Sequence, residues 1–348
     1  MRRASSGARV APDVPRRVDG SVTPPTALAE RLTTAPEAWE ALDRPSYRAE
    51  HVLGVALNAQ GRARGPVVDA LHGTWLGHPL HPALTDVPVG AWTAALALDA
   101  VDVVGSGREP GLAEAARTCT AVGLVGAAAA VATGLVDWQH THEGARRVGV
   151  VHGLLSATAT GLQLASWRSR GRGRTARGRV LGLAGWCVVT ASAALGGALV
   201  HRHGVGSDHA DRSLAPRTFT DALPVVDLVD GRPVRADVDG VRVVLVRQGD
   251  GPVRAFGEEC PHLRGPLSEG WVTREGLVCP WHGSCFSLED GGVVHGPATA
   301  PLPRFETRVR GGTVQVRRIP PVPGASPGSV TAAEQQREDD EEARRARH

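Results

Sequence analysis

The sequence predicts a multidomain chain: a four-helix transmembrane bundle followed by an all-β domain, between a disordered N-terminus and a polar C-terminal tail. Three observations predict it. Four apolar runs near twenty residues long lie between positions 83 and 200, and about 20 residues span a bilayer as a helix. Short β-branched runs set between Gly and Pro turns fill 214–318, the pattern of a compact antiparallel β domain. The two ends show neither period.

Taken in order, residues 1–45 are rich in Pro, Ala, Arg and Thr and are expected to be disordered. Residues 46–206 form the expected membrane domain, opening with a short helix or two over 46–76. Helices are expected near 83–104, 118–136, 148–166 and 180–200. Their many Gly, Ala, Ser and Thr residues allow close helix contacts in lipid. A soluble helical bundle is the competing reading; near-continuous apolar runs joined by short polar loops argue against it. The β domain spans 214–318, with runs such as VRVVLVR (241–247) and GTVQVRR (312–318). Residues 319–348 begin Pro-rich and end in a mixed-charge run, a solvated tail.

Composition excludes several classes. The chain has 348 residues, with 39 basic and 36 acidic side chains and a net charge of +3, which argues against a nucleic-acid partner. Five scattered cysteines do not make a disulfide framework. No apolar run follows Arg2-Arg3 early enough for a signal peptide.

Within the β domain stand CPHLRGPLSEG (260–270) and CPWHGSCFSLEDG (279–291). Cys260, His262, Cys279 and His282 are soft or borderline metal donors in two short loops. Two thiolates and two imidazoles suit tetrahedral zinc. They also suit a two-iron cluster in which one iron takes both Cys and the other both His. Each loop supplies one of each type, whereas zinc fingers usually group like with like. On these residues, 214–318 resembles a Rieske-type [2Fe–2S] domain. The resemblance extends to Gly265–Gly270, to His282-Gly283-Ser284, to Phe286, and to Gly296-Pro297-Ala298, which is similar to the family's proline loop. It implies a [2Fe–2S] cluster with Cys260 and Cys279 on the inner iron and His262 and His282 on the outer one. Ser284, Phe286 and Pro297 would surround it.

The resemblance also bears on the potential. Family members in quinol-oxidising complexes carry an extra cysteine in each loop and a tyrosine near the cluster. Here Gly265, Trp281 and Phe286 stand at those positions, so fewer hydrogen bonds to sulfur are expected. The potential should lie low in the family range of about −150 to +300 mV. Cys285 departs from the family pattern and is read as a thiol pointing away. No oxygenase catalytic domain is expected after residue 318, so the cluster reads as a relay.

The helices add a second pattern. His78, His81, His140, His142, His152, His201 and His203 all fall at one end of an up-and-down four-helix bundle. The loops 105–117 and 168–179 at the other end hold none, and the β domain leaves from the histidine end. Pro79 and Pro82 bias His78 and His81 toward extended backbone, which places them in a strap before the first helix. Asp86 and Asp137 lie toward the same end. Asp99 and Asp102, spaced i, i+3, are expected to pair with Arg108 or Arg117 at the other end. Neutral imidazole ligates haem iron or a divalent metal and can bond a quinone headgroup, so these seven are a candidate second redox or quinone site. The HPLHP entry with its DVPVG continuation resembles an uncharacterised bacterial four-helix membrane-domain family over 77–203.

The expected protein is a multi-pass protein of a bacterial cell membrane, in contact with lipid. It would act as a membrane-anchored Rieske-type electron-transfer protein, relaying one electron between a donor and an acceptor that are proteins or quinones. A redox sensor or assembly factor, and an electron-supplying accessory of a separate oxygenase, are the alternatives. Six arginines and no acid in 168–179 argue that this loop is cytoplasmic; the absence of an arginine pair just before the last helix argues against export of a folded domain. The side of the β domain stays open.

Overall fold

The computed structural model describes residues 31–59, 64–105, 111–213 and 215–319. Six helices come first: α1 (Asp43–Asn58), α2 (Arg64–His72), α3 (Leu80–Val104), α4 (Leu112–Trp138), α5 (Glu143–Gly171) and α6 (Thr175–His201). The last four are long and apolar enough to cross a membrane. Helix α3 packs on α4 and α5 on α6, and the α4–α5 and α3–α6 contacts join the pairs.

Small residues make the α3–α4 contact. A stripe of Ala116, Thr120, Gly123, Ala127, Ala130 and Thr133 is buried along α4. Gly123 lies under Trp92, where a Cβ would stand 2.2 Å from the indole nitrogen. That indole N–H donates to the Thr120 carbonyl at 3.3 Å. Bare backbone lets the helices approach closely, as lipid-facing bundles require.

Helix α3 begins earlier than the proline pattern predicts. His81 and Pro82 lie in its first turn, and only His78 stays in the strap. The reason is that first-turn N–H groups have no helical partner, so Pro82 loses no bond there. His201 likewise is the last residue of α6 rather than following it. The other long helices also extend past their apolar runs by several residues.

Asp99 and Asp102 are buried, but their partners differ from the sequence expectation. Asp99 takes a two-pronged pair of bonds from Arg170, at 2.8 and 2.5 Å. Asp102 pairs with Arg179. Arg117 instead pairs with Glu114 and lies over Trp167; Arg108 is outside the described residues. The bonds reach across the bundle because α5 overruns its apolar run and carries Arg170 to the level of Asp99.

Residues 35–45, expected to be disordered, form 3-10 turns and the start of α1. Arg147 holds them, donating to both carboxylate oxygens of Asp43 at 2.7 Å and to the Glu37 carbonyl at 2.6 Å. Its neighbour Arg146 is 1% exposed. It donates to Glu50 of α1 at 2.6 Å and to the Thr141 carbonyl at 2.9 Å, and lies over Tyr47. The pair fastens α1 to the α4–α5 turn.

The β domain holds ten strands: β1 (Thr220–Pro224), β2 (Val234–Val238), β3 (Val241–Val246), β4 (Arg254–Gly257), β5 (Trp271–Val272), β6 (Leu277–Val278), β7 (Cys285–Phe286), β8 (Val293–His295), β9 (Arg304–Arg310) and β10 (Thr313–Arg318). They form a six-stranded sheet, β1-β10-β9-β4-β3-β2, and a four-stranded sheet, β5-β6-β7-β8. Alternating valines of β3 split between two cores. Val243 and Leu245 face one with Phe305 and Val314; Val244 and Val246 face another with Phe256, Leu277 and Phe286. The second core also holds Cys260 and Cys279. The connector after α6 is stapled to the β domain: His209 N–H donates to the Pro261 carbonyl (2.9 Å), Arg212 to the Pro301 carbonyl (2.8 Å), and Arg318 to the Ser213 carbonyl (3.1 Å).

Candidate metal centre and its cover

The two motif loops are twins in backbone bonding. Cys260 N–H donates to the Gly265 carbonyl and Arg264 N–H returns a bond to the Cys260 carbonyl. Cys279 N–H donates to the Ser284 carbonyl and Gly283 N–H returns a bond to Cys279. The closing residue is left-handed in both, at φ 62° for Arg264 and 78° for Gly283. Each loop therefore presents a buried cysteine at its base and a histidine near its tip.

The Cys260 and Cys279 thiols are neighbours in the buried second core. Their mutual interaction, then burial, pushes Cys260 well up, while the same interaction and the backbone N–H groups of Trp281 and His282 hold Cys279 down to about 7. The His262 and His282 rings lie 4.9 Å apart at right angles. Burial, then neighbouring imidazoles, lowers His262 to about 3 and His282 to about 4. Both are therefore neutral, ligand-ready imidazoles at neutral pH.

The residues fit a two-iron group. The His262 Nδ1 atom is buried with no hydrogen-bond partner, an arrangement a metal bond relieves. Among the described residues no three His, Cys, Asp or Glu side chains converge on one point as a single ion requires. A pair of touching thiols with a separate pair of imidazoles suits two metal atoms better than one zinc. Gly265 is forced, because a Cβ there would stand 2.7 Å from the Cys279 sulfur and 3.3 Å from the Trp281 ring. Phe286 is fully buried beneath the loops. Ser284 Oγ contacts the Cys260 thiol and accepts a bond from the Ala298 N–H, one residue past Pro297, at 3.0 Å. The Cys285 thiol faces Thr273 on the other side of β7.

Two of the seven helix-end histidines cover this centre. The His140 ring lies 5.4 Å from His262 and 5.1 Å from His282. The His142 ring stacks on His282 at 5.5 Å, with their Nε2 atoms 3.3 Å apart. Burial, then the neighbouring His262 imidazole, lowers His140 to about 2. The other five lie elsewhere. His78 is exposed, with its Nδ1 on the Pro79 carbonyl, and His201 is exposed. His203 meets Glu37. His81 and His152 face each other between helices, with ring centroids 6.3 Å apart. Asp86 is exposed on α3.

Sequence reasoning missed two residues at this junction, Asp69 and His72. Asp69 of α2 accepts bonds from the Gly296 N–H and from His295 Nδ1, both at 2.8 Å, and so clamps the proline loop. His72, 2% exposed, pairs through Nδ1 with Asp137 at 2.8 Å and stands 5.5 Å from His140. The D-x-x-H spacing on α2 puts Asp69 and His72 on one helix face, and that was the available signal.

Comparison with known proteins follows the same division. Residues 218–306 match the family described as Rieske [2Fe-2S] domain. Residues 77–209, which contain all four long helices, match the family described as Predicted membrane protein (DUF2231). The chain is 34% identical over 94 residues to the 3-phenylpropionate/cinnamic acid dioxygenase ferredoxin subunit of Escherichia coli (strain K12), covering 27% of this chain and 87% of that protein. It is 33% identical over 93 residues to human apoptosis-inducing factor 3, covering 27% of this chain but only 15% of that protein. Among solved structures, the ferredoxin of carbazole 1,9a-dioxygenase from Nocardioides aromaticivorans IC177 is 29% identical, over 30% of this chain and 99% of that one, with a TM-score of 0.28. With its paired Cys–His loops and a ferredoxin relative matched over most of its length, the chain belongs to the Rieske [2Fe-2S] domain family, and a DUF2231 membrane-protein domain precedes its cluster domain.

Proposed function

We propose that this protein is a membrane-anchored one-electron carrier whose cluster face is wired in cis to its own membrane module. Cys260 and Cys279 would hold the inner iron and His262 and His282 the outer iron of a [2Fe–2S] group. The observation that carries the reading is the contact of His140 and His142 with those two imidazoles. When bound, the [2Fe–2S] group supplies one-electron chemistry. The chain's own residues do the rest. The twin loops present two neutral imidazoles, the His140 ring packs near both of them, and His142 Nε2 faces His282 Nε2 within hydrogen-bonding reach. Asp69 keeps the proline loop seated.

Four helices long and apolar enough to cross a membrane, in a stretch that matches a membrane-protein family, support a multi-pass placement in a bacterial membrane. The ferredoxin relatives also support delivery to a separate oxygenase. The covered imidazole edge weighs against that alternative, because a soluble partner would have to displace His140 and His142. Electron paramagnetic resonance with a redox titration of the purified chain tests the proposal. It should show a Cys2His2 cluster signal, lost in C279S and H282A, titrating low in the range of about −150 to +300 mV. An all-cysteine type of signal, or a signal that survives both substitutions, would overturn the ligand assignment. H142A should shift the signal or its potential, and a signal unmoved by H142A would overturn the wiring.

A further inference from the structure

We propose that His81 and His152 are the axial pair of a haem held between α3 and α5. The two helices are diagonal in the bundle, each packing on α4 and α6. Bundle cofactors sit at such a centre, held by side chains from facing helices. His81 Nδ1 donates to the Ala130 carbonyl at 2.8 Å. His152 Nδ1 donates to the Ser192 carbonyl at 2.9 Å. An imidazole that gives its Nδ1–H to a carbonyl is fixed in the tautomer that leaves Nε2 as the ligating nitrogen. Neither Nε2 makes a hydrogen bond among the described residues.

The spacing also fits. The ring centroids are 6.3 Å apart and the planes meet at 89°. Metal–imidazole bonds of about 2.0–2.1 Å put the centroids of an axial pair about 6 Å apart. The walls beside the rings are small. Gly134 lies against His81, where a Cβ would stand 2.7 Å from Cε1, and Gly196 lies against His152, where it would stand 3.2 Å away. Both rings are thereby held against the flanking helices α4 and α6.

The donor count selects the ligand class. A bare divalent ion wants four or more protein or water donors. Here two imidazoles face each other and no third His, Cys, Asp or Glu joins them among the described residues. A porphyrin brings four nitrogens of its own, so two protein donors complete a six-coordinate iron. The site lies a short step along the chain from the cluster cover. His81 is two residues past Pro79, which lines one small cavity with His72, His262 and Pro297.

The inference deepens the electron-carrier reading but stands on separate residues. The full chain, purified in detergent, is titrated with hemin and followed by its absorption spectrum, with the cluster signal recorded in the same samples. The expected result is about one low-spin haem per chain. H81G and H152G each lose the low-spin spectrum and keep the cluster signal, and added imidazole restores it. H152M keeps a six-coordinate haem with a raised potential. H78A and H201A leave the spectrum unchanged. No low-spin haem on the wild-type chain, or one that persists in both glycine variants, overturns the site and leaves the two histidines as interhelical hydrogen-bonding residues. Because the cluster signal is read independently, its loss would sink the electron-carrier reading without touching this one.

Discussion

Replacing Asp69 with alanine should undock the proline loop from the membrane module without unfolding either part. The Asp69 carboxylate accepts two bonds of 2.8 Å, from the Gly296 N–H and from His295 Nδ1. A hydrogen bond to a charged group contributes about 1.5–3 kcal/mol. The Gly296 bond belongs in that range, because Asp69 is only 17% exposed and Gly296 itself packs close to Thr74 and His72. The His295 contact is discounted to about 0.5 kcal/mol, since that ring is 40% exposed and exposed pairs are screened. The sum, about 2–3.5 kcal/mol, corresponds to a roughly 30- to 300-fold shift of the docking equilibrium at 1.4 kcal/mol per tenfold. Hydrogen exchange resolved by peptide reads it directly: protection across 293–299 should fall by that factor. Protection in α4 and in β3 should stay as it was. Unchanged exchange at 293–299, or an equal loss throughout the chain, would refute the clamp.

Three further outcomes follow from contacts described above. Asp99→Asn removes one partner of a buried pair in which Arg170 and Asp99 are 3% and 7% exposed; breaking such a pair costs about 3–5 kcal/mol, and a thermal scan in detergent should show a clearly lower midpoint with the cluster signal intact until melting. Gly265→Ala forces a Cβ onto the Cys279 sulfur at 2.7 Å, so iron content per chain should fall several-fold while the helices keep their circular dichroism. The hydrogen bond from Arg147, with its charge, holds the Asp43 carboxyl below its ordinary 3.8; a depressed carboxyl contributes stability that is fully present above pH 3.8 and is lost as pH falls through the folded value. Protease cleavage within 35–58 should therefore be flat above about pH 5 and rise in acid, and Asp43→Asn should give the acid-like pattern at neutral pH.

Much of the architecture was legible in the sequence because it rests on local signals. Hydropathy marked the four long helices, and the cysteine–histidine order marked the cluster domain. What escaped depends on contacts between distant positions. Residues 35–45 look featureless alone and are ordered by Arg147, about a hundred positions away. Asp99 and Asp102 were recognisable as paired charges, but their partners depend on helix rotation and overhang that hydropathy does not encode. The start of α3 was misplaced because proline disfavours helix in general yet is at ease in a first turn. The histidine count pointed to the right end of the bundle without showing that the seven divide. His140 and His142 go to the cluster loops, His81 and His152 to each other, and the rest to the surface or to Glu37. Asp69 and His72 acquire their roles only when the two domains meet.

The stapled connector has a kinetic consequence. A carrier head that ferries electrons by swinging needs slack between anchor and head. Here His209, Arg212 and Ser213 are each bonded to the β domain within a dozen residues of the last helix. A tether already converts encounter into an intramolecular event, and this one also removes the search. On the proposed wiring, electron exchange across the histidine junction would be a unimolecular step. Its rate should be indifferent to dilution, to solvent viscosity and to ionic strength, which are the variables that govern a diffusing ferredoxin.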